Sequence, residues 1–241
     1  MALKDRIPLG MSLPHRSPDS IDMSAVRRVA ERADALGFRD LWVTENTLDH
    51  VFCFDPVVVL TYAAAVTTSI RLGVAVVVLP VHNPIHVAHQ MATLDYVSNG
   101  RAILGVGLGR DHHYTQFQMP RARRVRRFRE GVELIKALWT EATVNYRGSF
   151  FQLEGGTMAP KPVQKPHPPI WLGGDHPDAV RRAAGIGDAW MGLRRLERGR
   201  LLPMRPHTAR RAGEGRARPG DIPDLEASVS VGARARGRGS D

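Results

Sequence analysis

Acidic side chains follow a short apolar run near residue 45 and could supply a general base. Glu45, Asp49 and Asp55 lie within the polar segment ENTLDHVFCFD, directly after the apolar run DLWVT. A carboxylate held beside a reacting group can accept its proton. Three acids in one polar loop can equally be solvated surface charges, so the residues alone leave both interpretations open.

Histidines form a second group with chemical potential. His82, His86 and His89 recur at intervals of four and three residues, and the pair His112–His113 follows further along the chain. Such spacing can place ligands for a metal ion on one helix face. It also suits histidines that cap or brace the start of a helix. Because no cysteine or carboxylate completes a familiar ligand set, we expect no metal site.

Glycines at every second position form the third group. Gly105, Gly107 and Gly109 end an apolar run, and without side chains they would let a ligand approach the backbone closely. Arg110 stands where a dinucleotide-binding fingerprint needs another glycine, and no helix pattern starts there, which disfavours a Rossmann fold. Gly105 and Gly107 are therefore candidates for binding another cofactor, and a strand exit without a ligand is the alternative.

A strand–helix–strand unit spanning residues 71–109 must position many of these side chains. Arg71 to Leu79 is an apolar run rich in valine, which is typical of a strand buried on both faces. Asn83 and Pro84 predict a helix start, and Asn99 with Gly100 predicts its end. Ala102 to Val106 then predicts the second strand.

The same alternation continues on both sides of this unit and predicts an α/β fold with a parallel sheet. The additional strands are expected near residues 7–13, 40–44, 170–172 and 188–191. The additional helices are expected at 22–36, from 56, at 121–140 and at 178–184, with a polar connection over 110–120 and an excursion of two extended pieces over 144–153. Trp42 is expected to pack within the sheet.

Composition limits the classes of function. The net charge is +10, and residues 193–241 contribute 12 arginines against 6 acidic residues, or +6 of that excess. A cluster at 121–130 reads as a solvated helix face, so we expect no nucleic-acid partner. The single cysteine and the absence of a signal-peptide pattern predict a cytoplasmic protein, and the apolar runs are too short to span a membrane.

Several motifs together resemble the bacterial luciferase-like monooxygenase superfamily, which includes oxidoreductases that depend on the deazaflavin coenzyme F420. The resemblance covers about residues 5–192. It rests on GFRDLWVTEN at 37–46, VVLPVHNP at 77–84, LDYVSNGRAILGVGLG at 94–109, FREGVELIKALWTE at 128–141, FFQLEGGTMAPKPVQKPHPPIWLGG at 150–174 and AAGIGDAWMG at 183–192.

The resemblance implies a (β/α)8 TIM-barrel fold with an insertion, a cofactor at the carboxyl ends of the strands, and a homodimer. The implied activity is hydride transfer between coenzyme F420 and a small organic substrate. The alternatives are an FMN-dependent monooxygenase and a non-catalytic relative that keeps the barrel for binding or dimerisation.

The resemblance also implies roles for individual residues. The family's non-proline cis peptide, which forms a bulge behind the cofactor ring, falls on Ala75–Val76. Its ring-contacting histidine falls on Asn46, next to Glu45, and these two are the candidate catalytic residues. An acidic proton donor of some F420 enzymes falls on Arg110.

The same resemblance places the cofactor phosphate at Gly173, Gly174 and Asp175, at the start of a helix. Free amides at a helix start favour anions.

The segment after residue 192 has a different texture. It is rich in arginine and glycine, and only Leu225 to Val231 reads as a further strand. The chain therefore divides into a barrel domain at 1–192 and a tail at 193–241 that we expect to be mostly irregular. On this interpretation the barrel has six or seven strands and is incomplete at its carboxyl-terminal side.

Overall fold

Six parallel strands form the central sheet of the protein, for which the computed structural model describes residues 8–192. Their order is β1-β3-β5-β6-β9-β10, so the chain adds each new sheet strand beside the previous one. The strands of the described part are β1 Gly10–Ser12, β2 Arg16–Ser17, β3 Asp40–Val43, β4 Phe52–Cys53, β5 Arg71–Val78, β6 Ala102–Gly107, β7 Val144–Arg147, β8 Gln152–Gly156, β9 Ile170–Gly173 and β10 Ala189–Met191. All six strands predicted within residues 1–192 are present and parallel, which confirms the α/β fold.

Six helices connect the strands within the described residues. They are α1 Met23–Ala35, α2 Pro56–Val66, α3 Pro84–Val97, α4 Asp111–Gln116, α5 Arg124–Thr140 and α6 Pro177–Ile186. Asp55 caps α2 by accepting from the N–H groups of Val57 and Val58 at 2.9 and 3.0 Å. Asn83 caps α3 in the same way, and in both helices a proline occupies the first position, where no N–H is needed.

The turn between α3 and β6 is fixed by residues on either side of it. Asn99 and Gly100 adopt φ of 56° and 80°, which ends the helix as predicted. Asp95 is fully buried and accepts from the backbone N–H and side-chain amide of Gln164 at 2.9 and 2.6 Å. The buried Arg101 guanidinium donates to four backbone carbonyls and to Thr67 Oγ1, so these two residues brace the turn.

The two faces of the sheet have different partners. Alternate strand residues such as Leu41 and Leu104 pack against the helices in the main hydrophobic core. The intervening residues Trp42, Ile103 and Trp171 pack against one another on the opposite, inner face, where the two indole rings are 5.1 Å apart. Trp42 therefore packs within the sheet, as predicted, and strands buried on both faces explain why their sequences are apolar almost without interruption.

Three local features differ from the expected pattern or extend it. The segment after β6, expected to be a polar connection, contains the short helix α4, because Tyr114 is buried and its hydroxyl donates to Leu108 O at 2.5 Å. The loop after β3 contains β4, which pairs antiparallel with β2. The two extended pieces expected over 144–153 form the hairpin β7–β8, which is longer than predicted.

The predictions for the tail at 193–241, including a strand at 225–231, lie outside the described residues. Within the described part, β1 and β10 stand at the two ends of the sheet. None of the helices there is both long enough and apolar enough to cross a membrane.

Candidate functional site

A cleft of about 740 Å³ opens at the carboxyl ends of β3, β5 and β6. This is the edge of a parallel sheet at which α/β proteins hold their ligands. The cleft brings together four of the predicted site residues, Glu45, Asn46, Ala75 and Val76. The remaining five, Gly105, Gly107, Gly173, Gly174 and Asp175, are not among its lining residues.

The floor of the cleft is an irregularity in β5. The Ala75–Val76 peptide is cis, at the position that the family resemblance implied. The pairing of β5 with β6 shifts register between Val74 and Val77, so the chain bulges there. The bulge presents Ala75 and Val76 to the cleft.

The glycines of β6 and β9 have a packing role beneath this bulge. A Cβ atom at Gly107 would lie 2.6 Å from Val76 Cγ2, and one at Gly173 would lie 2.9 Å from Val76 Cγ1. A Cβ at Gly105 would overlap the carbonyl oxygen of Val74. Any side chain at these positions would displace the bulge, so the structure explains the glycines without a ligand. Direct cofactor binding by Gly105 and Gly107 stays a prediction.

Glu45 braces the end of β5. Its carboxylate accepts from the Val78 N–H at 2.7 Å and lies 2.6 Å from Nε2 of His82, and its side chain is only 5% exposed. Burial opposes ionisation, but the hydrogen bond and charge of His82 and the Val78 N–H together lower the pKa of Glu45 below its ordinary value. Both carboxylate oxygens are thus engaged in holding the β5 end, and catalysis by Glu45 stays untested.

Asn46 is the free polar group beside Glu45. It is half-buried and lines the cleft, and its side-chain amide makes no hydrogen bond to any residue within 8–192. An amide can donate and accept hydrogen bonds but cannot supply a proton near neutral pH. Asn46 is therefore available to orient a ligand and is unsuited to acid catalysis.

The other two acids of the predicted loop are engaged in other interactions. Asp49 forms an ion pair with Arg16 at 2.5 Å on the rim of the cleft. Asp55 caps α2 and is not among the lining residues. The three acids therefore do not form a general-base cluster, because each serves a different neighbour.

Helix α4 contributes His112 and His113 to the cleft, and its N-cap residue Arg110 also lines it. The Nδ1 atom of His113 lies 3.0 Å from the Arg110 backbone N and 3.3 Å from the Arg110 O, so the Arg110 backbone engages this side of the ring. Burial and then the neighbouring His112, whose ring is 4.0 Å away, lower the pKa of His113. Sequence reasoning had assigned these histidines only to a possible metal site.

His15, which the sequence also did not indicate as a site residue, holds the end of β3. His15 is buried, its Nδ1 donates to Leu13 O at 2.7 Å, and its Nε2 accepts from the Thr44 N–H at 2.9 Å. Burial is the main cause that lowers the pKa of His15, which keeps the ring neutral. Its 29-residue separation from Thr44 gave no sequence signal.

The predicted phosphate site lies at the start of α6. Gly174 has φ of 136°, and its carbonyl accepts from Trp190 Nε1 at 2.7 Å. His176 caps the helix by accepting from the Asp178 N–H at 3.2 Å. Anions are favoured at such a helix start, although the carboxylate of Asp178 in the first turn opposes them.

His82, which precedes α3, does not come together with His86 and His89 of α3. His82 is paired with Glu45, whereas His86 and His89 are exposed and line a separate cleft of about 450 Å³. Within residues 8–192, no group of three or more His, Cys, Asp or Glu side chains is placed to hold a metal ion.

Comparison with known proteins identifies relatives with this architecture. The chain is 32% identical over 170 residues to an F420-dependent glucose-6-phosphate dehydrogenase of Kineococcus radiotolerans, covering 67% of this chain and 50% of the relative. It is 31% identical over 161 residues to the oxygenase component of a flavin-dependent trigonelline monooxygenase of Acinetobacter baylyi, covering 64% and 44%. The chain thus spans about half the length of the curated relatives that it matches.

The chain is also similar in fold to a solved structure of a monooxygenase. The crystal structure of monooxygenase RslO1 from Streptomyces bottropensis superposes with a TM-score of 0.68 at 29% identity, covering 77% of this chain and 59% of that one. The six parallel strands and their helices are thus part of a TIM-barrel type of α/β fold.

The luciferase-like monooxygenase family matches residues 7–235, which is most of the chain and extends past residue 192, where the quoted motifs end. The chain belongs to this family, which confirms the resemblance. Its relatives include both F420-dependent and flavin-dependent enzymes.

Proposed function

We propose that this protein is an F420-dependent oxidoreductase that moves a hydride between the deazaflavin and a small organic substrate. The observation that carries the proposal is the cleft at the strand ends. Its floor is the Ala75–Val76 bulge, and its wall carries the Asn46 amide, which has no partner within residues 8–192. Its volume of about 740 Å³ lies within the range of cofactor sites.

The residues present fit such a cofactor. Gly107 and Gly173 let Val76 of the bulge lie close to β6 and β9, and a planar ring would lie against this bulge. Asn46 would orient the ring or the substrate, and the amides at the start of α6, after Gly173, Gly174 and Asp175, would hold the phosphate. The bound group would supply the redox chemistry, accepting or releasing a hydride.

The chain's own residues would then bind, orient and exclude water. Glu45 holds the end of β5 in place, so the surface behind the ring is rigid. Hydride transfer itself needs no acid from the protein. This agrees with Asn46 at the position where the family resemblance implies a histidine that contacts the ring. The protein is proposed to work in the cytoplasm as a homodimer.

The alternative is an FMN-dependent monooxygenase, which similarity to the trigonelline and RslO1 monooxygenases favours. Titrating the full chain with F420 and with FMN, each followed by cofactor fluorescence, separates the two. We expect F420 to bind with a Kd below about 100 μM and more tightly than FMN. The reverse order would favour the monooxygenase, and the absence of binding by either would favour a non-catalytic relative.

A variant pair ties the result to the cleft. Asn46→Ala should weaken F420 binding about fivefold, the effect of losing one hydrogen bond. Gln90→Ala, which changes an exposed amide beside the separate cleft, should leave the affinity unchanged. Equal affinities for both variants would remove Asn46 from the site.

A further inference from the structure

Of the two arginines that line the candidate cleft, Arg110 is the one without an ion-pair partner within residues 8–192. Glu45 is paired with His82, and Asp49 is paired with Arg16 at 2.5 Å. Arg110 is exposed at the mouth of the cleft, and its guanidinium has neither an ion pair nor a hydrogen bond within residues 8–192. The cleft therefore presents to an entering ligand a guanidinium that has no bonded partner within the described residues.

Two uncharged groups with free hydrogen-bonding capacity accompany this charge. The Asn46 side-chain amide makes no hydrogen bond within residues 8–192. Nδ1 of the His113 ring lies against the Arg110 backbone, and its Nε2 has no hydrogen-bond partner within the same residues. All three side chains line one cleft, and each can donate to an oxygen atom.

We propose that the substrate of this protein is an organic anion whose carboxylate or phosphate group is bound by Arg110. The guanidinium can meet either group with two parallel N–H···O bonds. The remaining donors, Asn46 and His113, are placed to bind the other oxygen atoms of the same molecule. This inference rests on the proposed function, because it assigns the substrate to the cleft that is proposed to hold the cofactor ring.

The position of Arg110 in the fold indicates that it binds the substrate rather than the phosphate of the cofactor. The phosphate is expected at Gly173–Asp175, which follow β9, whereas Arg110 follows β6 and lies beside the residues expected at the ring. The experiment below separates these two roles by comparing FMN with riboflavin, which lacks the phosphate.

Simple aromatic probes test the charge requirement. Benzoate and phenyl phosphate carry the two anionic groups, and benzamide is a neutral molecule of the same shape as benzoate. Each is titrated by calorimetry into the full chain, first alone and then after loading with F420 or FMN. We expect at least one of the anions to bind, and to bind about fivefold or more tightly than benzamide, as expected for one charge-assisted contact.

The variants Arg110→Gln and Arg147→Gln remove the same charge from different places. Arg147 lies in the hairpin strand β7 and lines a separate cleft. Arg110→Gln should abolish the preference for anions over benzamide, and Arg147→Gln should preserve it. Circular dichroism and the urea midpoint check that both variants are folded.

Four results would overturn the proposal. They are equal binding of anion and benzamide, no binding of either anion, an equal loss in both variants, and an Arg110→Gln variant that loses affinity for FMN but not for riboflavin. Failure of the proposed function looks different. In that case neither F420 nor FMN binds, while the anion preference of the unloaded chain still depends on Arg110.

Discussion

Replacing Glu45 by glutamine tests whether this residue braces the cleft. The carboxylate makes two short hydrogen bonds, at 2.7 Å to the Val78 N–H and at 2.6 Å to His82, and it is almost fully buried. Bonds to an ionised group contribute about 1.5–3 kcal/mol each, and neutral ones about 0.5–1.5 kcal/mol. Glutamine keeps the shape and one acceptor oxygen but loses the charge.

Summed over both bonds, the loss is about 2 kcal/mol of the free energy of unfolding. With a urea m-value of about 2 kcal/mol/M, the midpoint should fall by about 1 M at pH 7. Glu31→Gln is the matched control, because Glu31 is an exposed partner of Arg27 and its replacement should leave the midpoint unchanged.

The pH dependence gives an independent check. The pKa of Glu45 is lowered in the folded state, so its stabilisation is complete above its ordinary value of about 4.5. It is lost as the pH falls through the lowered value. The gap between the midpoints of Glu45→Gln and the unmodified protein should therefore narrow towards acid pH. A gap that is absent at pH 7, or equal at pH 7 and pH 3, would refute the bracing role.

Three further predictions concern packing against the β5 bulge, the pH dependence of stability and the oligomeric state. Gly173→Ala should lower the free energy of unfolding by about 1–3 kcal/mol, because its Cβ would lie 2.9 Å from Val76 Cγ1, whereas Gly185→Ala, with open space around it, should not lower it. Asp34 accepts from the Thr68, Ser69 and Ile70 N–H groups, and although burial opposes ionisation, these bonds and the Ser69 hydroxyl lower its pKa to about 2. Asp34→Asn should consequently show a smaller drop in urea midpoint between pH 6 and pH 3 than the unmodified protein, since stability from this carboxylate is lost between its ordinary value of 3.8 and about 2. Light scattering should report a dimer at high concentration, and a monomer would contradict the proposed homodimer.

The strands of the sheet and the helices between them could be predicted because the residues that define each element are neighbours in the sequence. Strands buried on both faces are apolar throughout, and residues such as Pro84 and Gly100 mark where the helix between two strands begins and ends. Helix α4 was missed because only Tyr114 of its six residues is buried, so its sequence reads as polar. Tyr114 and Phe117 are three residues apart and pack in the same small apolar cluster. This helical spacing was the sequence signal that could have indicated α4.

The site was less predictable because its contacts join residues far apart in the chain. Glu45 lies 33 residues before Val78 and 37 before His82, and nothing in the loop sequence indicates that both will reach its carboxylate. The alternating glycines suggested a ligand, whereas in the folded chain Gly105 and Gly107 lie against Val74 and Val76 of β5. The resemblance to the family located the cis peptide and the cleft, which spacing alone could not do.

Glu45 and Arg110 line the same cleft but are coupled to the fold in opposite ways. Glu45 is buried and bonded to the β5 end, so its replacement should reduce both stability and cofactor affinity. Arg110 is exposed and without a side-chain partner within residues 8–192, so its replacement should leave the urea midpoint and cofactor affinity unchanged while removing the preference for anionic probes. If both variants instead lost stability and cofactor together, the rigid floor and the substrate contact would not be separable parts of the cleft. If neither variant affected any ligand, the cleft itself would not be the site.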